Sequence, residues 1–207
     1  MRLSERAYHL MKERIVTLEL APFSVIDERA LMEELGLGRT PIREALHQLA
    51  AEGLVNIVPR RGMFVANIGI TDLQKILEVR VVLVGYCARL AAQRITEEQI
   101  AQMEAILQGL EQVQDGDAKA FMTIDERFQA LLYQAAHNEF LAEALDRLYA
   151  QSLRLWYLAL DRLSGVRAAI EQHRGVIEAL KAGDGARAEA LIQQHISQFQ
   201  QKIKAAI

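Results

Sequence analysis

All three prolines of this 207-residue chain, Pro22, Pro41 and Pro59, fall within its first 59 residues. Beyond them apolar residues recur at helical spacing, interrupted only by short Gly/Asp turns, and a chain divided in this way reads as two domains of different construction. Residues 1–68 are expected to combine helices with a hairpin, and residues 69–207 to be all-helical. Hydrophobic residues make up 51% and charged residues 25%, which disfavours disorder and provides for a real core. The single cysteine, Cys87, can form no internal bridge. The start, MRLSERAYHLMKER, is charged and amphipathic, unlike a signal peptide, and no run of about 18 apolar residues follows that could span a bilayer. The expectation is a cytoplasmic chain with no membrane role.

In the first domain, Leu3, Ala7, Leu10, Met11, Ile15 and Leu18 mark a helix, which Ala21-Pro22-Phe23-Ser24 breaks before a short extended piece at Val25-Ile26. A second helix spans about Asp27 to Leu35. Gly36-Leu37-Gly38 then supplies a turn, after which Thr40 suits the N-cap and Pro41 the first position of a third helix. That helix turns Ile42, Ala45, Leu46 and Leu49 inward and leaves Arg39, Arg43 and His47 outward. Leu54–Val58 and Gly62–Val65 follow as two strands joined through Pro59-Arg60-Arg61, a hairpin with a basic tip. Helix, turn, helix, hairpin is the layout of a winged helix-turn-helix, whose third helix enters the DNA major groove. A net charge of -3 gives no bulk attraction to nucleic acid, so such a role must rest on local charge. Between Gly36 and Ala66 the arginines Arg39, Arg43, Arg60 and Arg61 face only Glu44 and Glu52.

The run from Asp27 to Leu46, centred on Arg39-Thr40-Pro41-Ile42-Arg43-Glu44-Ala45-Leu46, with Glu52-Gly53-Leu54-Val55 and Arg61-Gly62-Met63-Phe64-Val65, strongly resembles the GntR family of bacterial transcription regulators. The resemblance implies that Arg29, Arg39, Thr40 and Arg43 touch operator DNA, with Arg60, Arg61 and Gly62 at the wing. Arginine suits the work because its guanidinium forks onto guanine or phosphate. Leu18 and Phe23 depart from the family, which often has glycine at those places.

From Thr71 onward the periodicity predicts about six helices in an antiparallel bundle: Asp72–Arg94, Glu97 to about Val113 with a Thr96–Gln99 capping box, Ala118–Ala136 after an Asp115-Gly116-Asp117 turn, Glu139 to about Arg162, and a pair flanking Gly183-Asp184-Gly185. Polar residues interrupt the inward stripes. Asp125 lies among Phe121, Phe128, Leu131 and Leu132, with Gln129 one turn later; His173 lies among Ile170, Val176 and Ile177, and His195 among Leu191, Ile192 and Phe199. Each histidine is 11 residues from Asp184, so the two stand level on the antiparallel pair. Burying these groups is costly unless they hydrogen bond to one another or share a metal ion.

This second domain resembles the FadR-type (FCD) effector-binding domain, many members of which bind a divalent metal through an Asp-x-x-x-His pair and one further histidine on each of two later helices. The resemblance implies Asp125, Gln129, His173 and His195 as the metal set, with Gln129 in place of the usual histidine. Zinc, nickel, manganese and iron all suit such donors. It further implies a small organic acid as effector, with Arg80 and Arg154 as candidate carboxylate partners. Together these features describe a homodimeric regulator, most naturally a repressor, that binds an operator and answers to a metabolite. Two other readings share the residues: the same domain with a metal-free effector site, and a metal-dependent hydrolase. The second finds no general base or nucleophile motif in the sequence, so an enzyme is not expected.

Overall fold

The structure, a computed structural model, describes residues 2–114, 117–159 and 166–206. The expected turn at Asp115-Gly116 and the expected helix end at Arg162 lie outside the described residues. The chain forms two compact units, Met1–Leu73 with Ala150–Leu158, and Gln74–Tyr149 with Ala159–Ile207. The second piece of the first unit is unforeseen by a boundary at residue 68.

In the first unit α1 (Leu3–Val16) and α2 (Glu28–Leu35) both pack on α3 (Arg39–Ala51). Asp27 caps α2, its carboxylate accepting from Arg29 N at 2.8 Å and Ala30 N at 3.1 Å, and Gly36 ends the helix in the left-handed region at φ 63°. Helix α3 starts two residues earlier than the sequence suggests, at Arg39 and not at Pro41 after a Thr40 N-cap. Gly38 is its N-cap, and Pro41 sits as the third helical residue, where its missing N–H is still one of the unpaired first-turn donors. Met11, Ile15, Ile42, Leu46, Leu49 and Leu54 are fully buried and make the core. At the far end of α3, Glu52 takes hydrogen bonds from Tyr8 Oη (2.8 Å) and Lys12 Nζ (3.1 Å), tying the helix to α1.

Strands β1 (Val55–Val58) and β2 (Gly62–Val65) pair antiparallel with Val58 opposite Gly62, and Val25 bridges to Phe64. The three-residue connection holds Arg60 at φ 64° and leads into Gly62, the first residue of β2, at φ 103°, so the basic tip is a tight, exposed turn. Leu18 and Phe23 adopt φ 64° and 65°. The backbone here needs left-handed residues, and these two side chains bear the strain that glycine would avoid.

Residues Ala150–Leu158 come from helix α7 (Glu139–Ala159). Gln151 Nε2 donates to the carbonyl of Glu52, the C-cap of α3, at 2.9 Å. Arg154 donates through Nη2 to the carbonyl of Ala66, just past β2.

The second unit is built from α4 (Ile70–Arg94), α5 (Glu97–Glu111), α6 (Ala118–Ala135), the first part of α7, α8 (Val166–Lys181) and α9 (Gly185–Ala206). Helix α5 packs against α6 and α8, and α8 against α9. The Thr96–Gln99 capping box is present at α5. Gly183 at φ 67° turns α8 back into α9. Its core includes Val84, Cys87, Met103, Leu110, Phe128, Leu132 and Ile192. No helix of the described residues is long and apolar enough to cross a membrane.

Candidate functional site

On the first unit, Arg39, Thr40 and Arg43 are exposed on the first turns of α3, Arg29 is exposed on α2, and Arg60, Arg61 and Gly62 are exposed at the hairpin tip. The arrangement fits a nucleic-acid interface: guanidinium groups on a helix whose free first-turn N–H groups favour phosphate, beside a basic wing. One acid, missed in the sequence, belongs to this surface. Glu28 Oε2 lies 3.8 Å from Nε of both Arg39 and Arg43. No pattern within α3 signals it, because it comes from the neighbouring helix.

In the second unit Asp125, Gln129, His173, His195 and Arg80 are all buried, with Arg80 0% exposed. Asp125 and Gln129 stand one turn apart on α6, His173 on α8, His195 on α9 and Arg80 on α4. The histidine rings meet edge to face with centroids 4.7 Å apart, and Phe128 packs on His173 at 4.3 Å. His173 Nδ1 lies 2.6 Å from the Ala169 carbonyl, which can only accept, and its Nε2 lies 2.8 Å from Asp125 Oδ1. Both ring nitrogens therefore face acceptors. The ring is fully satisfied with both nitrogens protonated, or with a cation replacing the Nε2 proton. Asp125 also accepts from Tyr149 Oη at 3.3 Å. Burial pushes the Asp125 carboxyl up, but the His173 hydrogen bond and charge, with His195 and Arg80, hold it below the usual value.

His195 is different. Its Nδ1 lies 2.9 Å from Gln172 Oε1, and that amide is oriented by the hydrogen bond of its own nitrogen to Gln198 at 2.7 Å. Nδ1 is thus the donor, leaving Nε2 as a bare lone pair with no hydrogen-bond partner among the described residues, 3.8 Å from Asp125 Oδ1. Burial, then the His173 charge, pushes the pKa of His195 down to about 3. Ligand atoms of Asp125, His173 and His195 lie within 4.8 Å of one another, and a lone pair aimed at a carboxylate is what a divalent cation would resolve.

Gln129, which the family resemblance offers as at most a weak oxygen donor, has hydrogen bonds of its own: its Oε1 accepts from Tyr133 Oη at 3.2 Å and from Arg80 Nη2 at 3.5 Å. The Arg80 guanidinium also lies over the Tyr149 ring at 4.7 Å, while its Nε and Nη1 have no hydrogen-bond partner among the described residues. Burial raises Tyr133 to about 12 and Tyr149 well above the usual phenol value, so both stay protonated donors. Neither tyrosine was expected at the site. Tyr133 was legible as the residue one helical turn past Gln129; Tyr149 gave no local signal. Arg154, the other expected effector arginine, belongs to the first unit and bonds Ala66 there. A cleft of about 430 Å³ between α5 and α6, lined in part by Ile124 and Arg127, shares no residue with this cluster.

Residues 3–65 match the bacterial regulatory proteins, gntR family, and residues 75–198 match the FCD domain. Over 205 residues the chain is 28% identical to the HTH-type transcriptional repressor RspR of Escherichia coli (strain K12), covering 97% of this chain and 89% of that one. It is 30% identical over 198 residues to the Nta operon transcriptional regulator of Aminobacter aminovorans, covering 93% and 92%. The solved structure of E. coli McbR/YncC shares the fold at a TM-score of 0.88 and 21% identity, covering 99% of this chain and 98% of that one. These relatives are transcriptional regulators and not enzymes, which removes the hydrolase reading. The chain belongs to the GntR family, a DNA-binding transcriptional regulator with a winged helix-turn-helix followed by an FCD domain.

Proposed function

We propose that the chain is a cytoplasmic, homodimeric repressor whose hold on a palindromic operator is set by a small organic acid in the FCD domain, with a divalent cation held by Asp125, His173 and His195. The observation that carries the ligand half is the unpaired Nε2 of His195 beside Asp125. Arg80 supports an acidic ligand: among the described residues it is a buried cation with two unpartnered nitrogens and only neutral hydrogen-bond partners. When bound, the cation would supply a positive centre for the acid. Asp125 would offset one of its two charges, the Ala169 carbonyl would orient His173 and Gln172 would orient His195. Gln129 could join only by leaving Tyr133 and Arg80. The exposed apolar stripe Val79, Val82 and Tyr86 on α4 supports self-association. The name of RspR supports repression.

Protein purified without an affinity tag is expected to take up about one equivalent of zinc, nickel, manganese or iron on incubation, and His195→Ala to lose that uptake. Less than roughly a tenth of an equivalent by elemental analysis would retire the metal and leave a metal-free effector site, which the direct His173–Asp125 bond would then serve. Release of a wild-type-selected duplex by small di- and tricarboxylates tests the effector separately.

The DNA contacts are proposed as Arg29, Arg39, Thr40 and Arg43, with Arg60, Arg61 and Gly62 at the wing. Arg43→Ala is expected to cost about 1 to 3 kcal/mol of specific binding and to relax preference at one position per half-site. Selection from a random duplex pool reads this directly; unchanged selection removes Arg43 from the contact set.

A further inference from the structure

A carboxylate beside a DNA-reading surface repels phosphate and weakens binding to every sequence. Glu28 nevertheless stands there as the first residue of α2, its side chain 27% exposed. Its Oε2 is buried, accepts no hydrogen bond from the described residues, and lies 3.8 Å from Nε of Arg39 and 3.8 Å from Nε of Arg43. The other acids of α2 are engaged elsewhere: Glu33 with Arg29 at 3.3 Å, and Glu34 with Arg14 at 2.6 Å. Arg39 and Arg43 are one turn apart on α3, so a single oxygen fronts the Nε side of both.

Contacts at this distance and exposure add little to stability. Their effect is on conformation. Arginine has many rotamers, and a freely sweeping guanidinium finds a phosphate as readily as a base edge. An anion on the Nε side of each group draws both side chains to one place and leaves the outer guanidinium nitrogens of Arg39 and Arg43 without a protein partner among the described residues.

We propose that Glu28 is a positioning residue that aims Arg39 and Arg43 at base edges, exchanging general DNA affinity for sequence discrimination. The proposal rests on the reading of those arginines as operator contacts.

The two effects have opposite signs, which makes the test sharp. With full-length protein, duplexes are selected by the wild type from a random pool, and affinities for selected and unselected duplex are then compared. Glu28→Gln keeps the side-chain shape and removes the charge. It is expected to tighten binding to unselected duplex about twofold to fivefold at low salt, and to reduce the selected-to-unselected ratio about tenfold. Glu44→Gln, which removes an exposed charge from α3, serves as the control: both affinities are expected to rise together with the ratio unchanged. A ratio within about twofold of wild type for Glu28→Gln, or an equal fall in the ratio for Glu44→Gln, overturns the proposal. Circular dichroism of the variant establishes that α2 is intact, and Glu28→Asp, too short to front both arginines, should lower the ratio as well. If Arg43→Ala leaves the ratio unaltered, it is the contact reading that fails.

Discussion

Asp125→Ala is expected to destabilise the protein by about 3 to 5 kcal/mol, read from urea unfolding at neutral pH with chelator present. The carboxylate is 1% exposed and answers three groups: His173 through a 2.8 Å bond, Tyr149 through a 3.3 Å bond, and the charge of Arg80. Removing it leaves His173 Nε2 and the Tyr149 hydroxyl buried without that acceptor, and the buried Arg80 guanidinium without the Asp125 charge. Asp125→Asn keeps the volume and a hydrogen-bond acceptor, so it should cost less. The pH dependence follows from the same cluster. The carboxyl of Asp125 is held below its ordinary value, so its contribution is complete above the usual carboxylate range and is lost as pH falls through the native value. His195 acts over a wider window. Its pKa falls from 6.5 to about 3, so between those values the unfolded chain binds a proton that the native one refuses. Stability should fall by about 1.4 kcal/mol per pH unit on acidification through that window, and His195→Gln should flatten the slope. Parallel curves for the two proteins would show that the imidazole is not buried in its neutral form.

The features legible in the sequence are those fixed by neighbours along the chain. Asp27 and Gly36 bound α2 because an acceptor at an N-cap and a left-handed residue at the C-terminus are local requirements. The basic hairpin tip follows from Pro59 and Gly62, and the meeting of His173 with His195 follows from equal spacing about one turn. The start of α3 was less well defined, since proline is tolerated throughout a first helical turn and cannot say which residue is first. What the sequence withheld are choices between helices. Periodicity places Gln129 on an inward face but not whether its oxygen meets a histidine or Arg80 and Tyr133. Glu28 reads as an ordinary acid in the first turn of a helix, because the arginines it fronts lie more than ten residues away. Arg154 shows the same limit: resemblance offered it to an effector, while its position along α7 puts it in the other unit.

That relocation makes Arg154→Ala the second large effect, expected to cost the first unit about 3 to 5 kcal/mol. The side chain is fully buried, and burial pushes its pKa down to about 10, so it remains a cation at neutral pH. Its Nη2 bonds the Ala66 carbonyl at the end of the hairpin, and Nη1 reaches Gln151 Oε1 at 3.4 Å, the same Gln151 that holds the end of α3. Truncation therefore removes a large packed volume and strands a buried carbonyl together. Arg154→Met fills much of the volume without burying a charge and should cost about 1 to 2 kcal/mol. The single tryptophan, Trp156, is 1% exposed two residues further along and belongs to the same unit, so its fluorescence reports this unfolding. The midpoint should fall in the order wild type, Arg154→Met, Arg154→Ala, while cation uptake at Asp125, His173 and His195 stays at the wild-type level. Arg154→Met with an unshifted fluorescence midpoint but no response to a small acid would instead return this arginine to the effector.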